Sequence, residues 1–482
     1  MGETTGPPGG VDVEAFIERW VERHEGEMVE DLRALIAIES VESPARPGQP
    51  FGEGVARALE FVEAAARRWG LRTLNADGYA IHGEMGAGRD LVGVLCHVDV
   101  VPAGDGWTVP PFGGIVRSGR IYGRGAIDDK GPTVAALYGA AALLASGAPL
   151  SRRIRLIVGG DEESGFECVR YYFARHERPS LAFSPDALFP VVFAEKGILT
   201  LQLSRAVKSS ALRRLTGGVR PNVVPDRAEA DLAFASREEA VACVERLRRA
   251  AAARRARLEV DEPCRDGENV VVRVRSRGAA THGSTPEKGI NAASELLAAL
   301  AEADGAAGLL DPEGVAGYLA RAGLEVYGRG LGIARQDDVS GVLTANLGVI
   351  RWEEGNVEAT FDVRYPVSLS SADELVQDVR QHAGALGFEV RVTEDQPPHH
   401  VSPDSFLVRT LLDVYRKETG DPLGPLAIGG GTYARVLPGA VAFGPVFPMQ
   451  GIVPHEPDEC IEVAHLRRLA VIYGKALWAL AR

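Results

Sequence analysis

The chain has five cysteines, Cys96, Cys168, Cys243, Cys264 and Cys460, with no CxxC pair among them and an odd total. That argues against a disulfide framework and fits a reducing compartment. No apolar run approaches the length that spans a bilayer. The opening MGETTGPPGG lacks the charged-then-apolar pattern of a secretory signal, and Gly6 stands where N-myristoylation wants Ser or Thr. The expectation is a cytoplasmic protein with no membrane partner. Basic charge is also short. Lys and Arg number 53 against 66 Asp and Glu, a net charge of −13, which speaks against a nucleic-acid partner. No internal repeat or low-complexity tract is present. What remains is ordinary for a soluble globular protein: 482 residues, 45% hydrophobic and 25% charged. That length suffices for roughly two to four domains.

After a Gly/Pro-rich tail to about residue 10, read as disordered, Phe16, Trp20, Met28, Leu32, Leu35 and Ile36 recur at helical spacing. They predict one helix over about 11–38, and a second amphipathic helix is expected over about 54–69. Strands follow over about 80–84 and 91–96. A helix of small residues begins after Pro132, with Ala135, Ala136, Gly139 and Ala140 suited to close packing. The strand 154–158 runs straight into GGDEESG. This alternation predicts an α/β core with a central mixed sheet flanked by helices. From Ala194 to about Glu394 strands mix with Ala/Arg-rich helices, which suggests a second, α+β domain. The remainder, 395–482, returns to a helix, the turn GGGTYAR, a strand over 440–443, a loop containing His455 and a last helix. If His455 meets residues of the first 193 positions, the 194–394 domain is an insertion into a domain made of 1–193 and 395–482.

The candidate chemistry lies where strands end. His97 and Asp99 close a hydrophobic strand, Asp128 and Asp129 follow a glycine turn, Glu162 and Glu163 are adjacent, and Asp186 and His455 sit in turn-like contexts. In His97-x-Asp99 both side chains face one way, so Asp99 can accept the second imidazole N–H and fix the tautomer. Adjacent glutamates diverge, so one can bind a metal while the other does acid–base work. Taken singly, each feature has a plainer reading. His97 could be a core histidine, Asp128–Lys130 a helix cap before Pro132, Glu162–Glu163 an acidic surface loop, Asp186 a turn residue and His455 a loop histidine. Taken together, imidazoles and carboxylates at strand ends suit a pair of divalent cations, zinc first, with manganese or cobalt also fitting. Three carboxylates against two such cations leave one positive charge, which a hydroxide would neutralise.

The block HVDVVPAGDGW…PPFGG…GRIYGRGAIDDKGP closely resembles the co-catalytic zinc peptidases that include carnosinases, aminoacylases, ArgE/DapE deacylases and glutamate-releasing carboxypeptidases. GGVRPNVVPDRAEA, HGSTPEKGINAA and GGGTYAR extend the likeness over roughly Glu14 to the C-terminus, and it is strongest to the PepV-type dipeptidases. The resemblance implies a zinc-peptidase catalytic domain with an inserted lid. It implies His97 and Asp186 on one metal, Glu163 and His455 on the other, Asp128 bridging them, Asp99 orienting His97, Glu162 as general base, and a cis Asp128–Asp129 peptide. It further implies that His282 polarises the scissile carbonyl, that Asn222 lies near that carbonyl or the substrate backbone, and that Arg364 pairs with the substrate's terminal carboxylate. Gly430, Gly431 and Thr432 would offer N–H groups to the same carboxylate.

The expected activity is hydrolysis of dipeptides by a hydroxide between two metals, with lid closure and a monomeric chain. The same site would serve an N-acyl amino-acid deacylase, which is the nearest alternative. A non-catalytic peptide- or metal-binding protein is the alternative of another class. Among the residues that match the family's ligands and base, no position departs from its pattern.

Overall fold

The computed structural model describes residues 12–304, 308–353, 355–448, 450–451 and 454–482. The Gly/Pro tail expected to be disordered lies outside them. Two compact units form. The first comprises residues up to Phe193 with His400–Leu426 and Thr432–Arg482, and the second Ala194–His399 with Ala427–Gly431.

The first unit is built on a mixed sheet. Its strands lie in the order Arg72–Ala76, Ala80–Met85, Arg153–Gly159, Leu91–His97, Leu181–Ser184 and Ala440–Ala442. The first pairings are antiparallel, and those joining Arg153–Gly159, Leu91–His97, Leu181–Ser184 and Ala440–Ala442 are parallel. Leu91–His97 is buried at every position, as a near-continuous apolar run in a parallel sheet covered on both faces must be. The helix Lys130–Ala145 is buried almost all round because it is apolar on every side. Its Gly139 meets the last helix, Val463–Ala481, at Gly474. A Cβ on Gly139 would come within 2.6 Å of Ala470 O and 2.7 Å of Gly474 N. Glycine there lets two backbones touch, and an added methyl would cost about 1–3 kcal/mol of overpacking.

The helix expected over 11–38 is two, Val13–Arg23 and Glu25–Ile36. His24 separates them with φ −103° and ψ 14°, its ring stacked on Trp20 at 3.9 Å and its Nδ1 2.7 Å from Trp20 O. A side chain that bonds a backbone carbonyl one turn back competes with the helical ladder, which the apolar period alone does not reveal. The helix Glu53–Arg68 and the strands over 80–85 and 91–97 match the sequence reading to within a residue or two.

The second unit carries an antiparallel sheet in the order Arg257–Val260, Asn269–Arg277, Arg227–Phe234, Leu212–Gly217, Thr344–Glu353, Asn356–Tyr365, Gly197–Ala206 and Glu389–Gln396. The helices Arg237–Ala251, Ala292–Asp304, Val315–Leu324 and Asp373–Gly384 bury apolar residues in a core of this unit's own. Among the described residues no helix is long and apolar enough to cross a membrane, and the five cysteines are all free.

Candidate metal centre and substrate face

Three neighbouring parallel strands deliver acidic or imidazole groups at their C-terminal ends, where open α/β sheets form their binding crevice. His97 ends Leu91–His97, Glu162 and Glu163 follow Arg153–Gly159, and Asp186 follows Leu181–Ser184. Asp128 comes from the turn before the helix Lys130–Ala145, across a cis Asp128–Asp129 peptide, and His455 from an exposed loop. The carboxylate of Asp128 faces both histidines. Its Oδ1 lies 3.1 Å from His97 Nε2 and its Oδ2 2.9 Å from His455 Nε2. His97 Nε2 is also 3.7 Å from Asp186 Oδ2, and His455 Nε2 is 3.0 Å from Glu163 Oε1.

These groups fall into two sets, His97 with Glu162 and Asp186, and Asp128 with Glu163 and His455. Within each set the ligand atoms lie within 4.8 Å of one another. Glu162 thus stands as close to His97 as a ligand would, although the sequence reading gave it the role of base. Its Oε1 is buried with no hydrogen-bond partner among the described residues.

The electrostatics ask for cations. Burial, then repulsion by Asp186, pushes the Glu162 carboxyl well above the usual carboxylate range. Burial and the charge of Asp128 do the same to Asp186 and raise Glu163. Burial also opposes charge on Asp128, but hydrogen bonds from His455 and His97 outweigh it and hold its carboxyl below the ordinary range. Burial opposes charge on His455 as well, yet Asp128 and Glu163 lift it to about 11. His97 is lifted likewise, against its burial, by Asp128 and Asp99. Four carboxyl groups and two imidazoles, in two sets of oxygen and nitrogen donors, fit a pair of divalent cations.

Asp99 differs from expectation in how it holds His97. The His97 Nδ1–H donates to the backbone carbonyl of Asp99 at 3.0 Å, and the nearer carboxylate oxygen is 3.4 Å away. The other carboxylate oxygen is committed elsewhere, accepting the N–H groups of Glu162 at 2.9 Å and Glu163 at 3.0 Å. In the neutral imidazole a proton on Nδ1 places the lone pair on Nε2, the tautomer a metal ligand needs.

Several groups around the centre were given no part in the site by the sequence, Asp129 and Lys130 being read only as a possible helix cap. Asp129 is buried, and its Oδ2 accepts the His97 N–H at 3.2 Å and the Thr133 hydroxyl at 3.3 Å. Lys130, also buried, donates to Leu35 O and Ile38 O at the end of the helix Glu25–Ile36. Tyr433, within GGGTYAR, is buried with its ring edge-on to His97 at 6.1 Å and its hydroxyl 2.9 Å from Cys168 Sγ. Arg124 and Glu459 form a buried ion pair at 2.7 Å. Their only sequence signal was a charged residue inside a glycine- or proline-bounded motif.

The second unit gathers the other candidates. Gly283 sits where a Cβ would meet Asp362 Oδ2 at 2.6 Å and the Asn222 backbone at 3.0 Å, so the loops bearing Asn222 and His282 press together. The Gly283 N–H donates to Asn222 O at 2.7 Å. Arg364 is buried on an interior strand, with Nε and Nη2 donating to Asp362 Oδ2 at 3.2 and 2.9 Å and Nη1 donating to Gly429 O at 3.1 Å. Gly430 and Gly431 follow in the same unit. The exposed His282 turns Nδ1 to the Ser284 hydroxyl at 2.7 Å and to the Ser284 N–H at 3.2 Å. Thr432 belongs to the first unit, where its hydroxyl accepts the Ala434 N–H at 3.1 Å and caps a short helical turn.

A family model described as peptidase family M20/M25/M40 matches residues 93–479. The Bacillus subtilis protein named "Putative dipeptidase YtjP" is 39% identical over 472 residues, covering 95% of this chain and 98% of that one. A Staphylococcus epidermidis protein named "Putative dipeptidase" is 34% identical over 475 residues, covering 96% and 99%. Among solved structures, human carnosine dipeptidase 1 aligns with a TM-score of 0.57 at 16% identity, covering 98% of this chain and 99% of that one. The di-peptidase Dug1p of Saccharomyces cerevisiae aligns with a TM-score of 0.57 at 13% identity, covering 97% and 98%. At those identities the solved structures speak to the fold.

Proposed function

We infer from its place in peptidase family M20/M25/M40, to which this chain belongs, that it is a metal-dependent dipeptidase. The observation that carries the reading is Asp128, which turns one carboxylate oxygen to His97 and the other to His455. His97 and Asp186 would hold one divalent cation, Glu163 and His455 a second, with Asp128 shared. Zinc is the first candidate, with manganese or cobalt also suited to these donors. When bound, such a pair lowers the pKa of water toward ~7 and polarises a carbonyl oxygen.

The chain's own residues then divide the work. Asp99 fixes the His97 tautomer and holds the Glu162–Glu163 turn by its two backbone N–H groups. Glu162 takes the proton of the attacking water on its carboxylate and returns it to the leaving amine. In that double role the group must both accept and release a proton. His282 donates to the developing oxyanion. Arg364 pairs with the dipeptide's terminal carboxylate, Asn222 contacts its backbone, and Gly430, Gly431 and Thr432 supply N–H groups beside it. The reading takes residues 1–193 and 395–482 as the catalytic domain and 194–394 as its inserted lid, whose residues must reach the same peptide. It also takes the enzyme as a cytoplasmic monomer, which a dimer mass in light scattering would overturn.

The test is amino-acid release by metal-stripped protein titrated with Zn²⁺ or Mn²⁺, on a panel of dipeptides and N-acyl amino acids. Metal-dependent cleavage of free dipeptides is expected. Cleavage of N-acyl substrates alone would make it a deacylase, and cleavage of neither would leave a binding protein.

A further inference from the structure

His455 reaches its partners from a loop that offers little support of its own. The residue is exposed and has φ +69°, and Asp458 in the same loop has φ +58°. Both lie in the left-handed region that non-glycine residues rarely adopt. Something outside the loop must therefore hold the imidazole in place.

Asp458 gives one anchor, accepting the Thr108 N–H and hydroxyl at 2.8 Å each, and the anchor that reaches the backbone of His455 is the ion pair of Arg124 with Glu459 at the loop's end, residues only 1% and 3% exposed. Arg124 Nη1 donates to Glu459 Oε2 at 2.7 Å, and Nη2 donates to the carbonyl of His455 itself and to Ala103 O, each at 3.1 Å. The guanidinium also lies 5.2 Å from the centroid of the Trp107 ring. From the other end, Glu459 Oε1 accepts the backbone N–H of Ile127 at 3.0 Å and faces that of Asp128 at 3.4 Å. The Gly123 N–H donates to Glu459 O at 2.9 Å. One end of the pair thus terminates on the backbone of His455 and the other on the backbone of Asp128.

A buried ion pair is weak evidence of a stability role, because desolvation offsets much of its Coulombic gain. A fixed fork between two ligand-bearing backbone segments is better suited to setting distance. Resting on the two-metal reading above, we propose that Arg124 and Glu459 are positioning residues for one cation subsite. They set the separation of Asp128 and His455, and thereby the affinity of the metal shared by Asp128, Glu163 and His455. The subsite of His97 and Asp186 does not depend on them to the same degree, since Asp129 and the Asp99 carbonyl hold His97 from the opposite side.

The test is a Co²⁺ titration of metal-stripped full-length protein, followed by visible absorption and by metal analysis. Native protein is compared with Arg124→Lys, Glu459→Gln and, as a control for loosening a buried pair elsewhere in the unit, Arg155→Lys. Arg155 bonds Glu84 at 2.6 Å, away from the ligand loops. The expected result is a first equivalent bound within about threefold of native in both Arg124→Lys and Glu459→Gln. The second should bind about 10–100-fold more weakly, with a changed absorption band. Arg155→Lys should bind both equivalents as native does. Two equivalents at native affinity in both variants would overturn the proposal. So would parallel weakening of both equivalents, or failure of both variants to fold by circular dichroism, since either makes the pair a general scaffold. Fewer than two equivalents on the native protein would instead refute the two-metal reading beneath it.

Discussion

Asp99 accepts the backbone N–H of Glu162 at 2.9 Å, so the residue that fixes the His97 tautomer also holds the turn that presents the proposed base. Asp99→Ala keeps the backbone carbonyl that bonds His97 Nδ1 but removes the carboxylate that holds the turn and lies 3.4 Å from that nitrogen. The expected outcome is a fall in kcat of about 10–100-fold with KM changed far less, together with weaker metal binding. Native kcat in that variant would detach Asp99 from the site.

Glu162→Gln keeps the side chain's size and removes its proton-accepting carboxylate. It should retain two equivalents of metal while turnover falls by about 10²–10⁴-fold, the usual contribution of a general base. Metal analysis alongside steady-state kinetics separates this from a ligand role. If metal content and activity fall together, Glu162 is a ligand, as its closeness to His97 and Asp186 would also allow.

Stripping the metals with a chelator should abolish hydrolysis and lower Tm, because ions that bind only the folded state stabilise it and because the carboxylate cluster is left repelling itself. Adding Zn²⁺, Mn²⁺ or Co²⁺ back should restore both. Asp128→Ala should lose both equivalents, and retention of either would show that the carboxylate is not shared.

Arg364 already gives three donors to Asp362 and Gly429, so Arg364→Lys keeps the charge but loses the fork. KM for free dipeptides should rise by about tenfold, with carboxyl-amidated dipeptides little affected. Equal effects on both substrates would mean that Arg364 only braces Asp362.

Burial lowers the His82 pKa from 6.5 to about 4, the nearby Arg155 adding to the effect. The folded protein therefore binds this proton only near pH 4, whereas the unfolded chain binds it near pH 6.5. Stability from this group is complete above pH 6.5 and declines as pH falls toward 4, by about 2 kcal/mol in all after allowing for partial exposure. Urea unfolding at pH 7 and pH 5 should show native protein losing more than His82→Gln. Parallel losses would place the His82 pKa near its ordinary value.

The strands and the chemistry-bearing residues were legible because each has a short-range signature. Leu91–Cys96 is an unbroken apolar run, and His97, Glu162, Glu163 and Asp186 follow strand ends, while Asp128 and His455 lie in turns marked by glycine or proline. The interruption at His24 was not, since one imidazole bonding Trp20 O leaves the apolar period intact. The roles of Arg124 and Glu459 were equally hidden, because each is defined by a partner far along the chain. Tyr433 sat inside a motif whose glycines drew attention to its backbone, while its ring faces His97. Asp99 was placed beside His97, but its hold on Glu162 and Glu163 depends on how two parallel strands align.

The contact between Gly139 and Gly474 ties the centre to the order of synthesis. A nascent chain that has reached Leu437 already contains His97, Asp128, Glu162, Glu163 and Asp186, but neither His455 nor the helix Val463–Ala481 that covers Gly139. Until that helix emerges, the helix running from the Asp128 turn exposes an apolar flank, and the second set of donors lacks its imidazole. Completion of the candidate donor sets and covering of that flank thus both wait for the last segment of the chain.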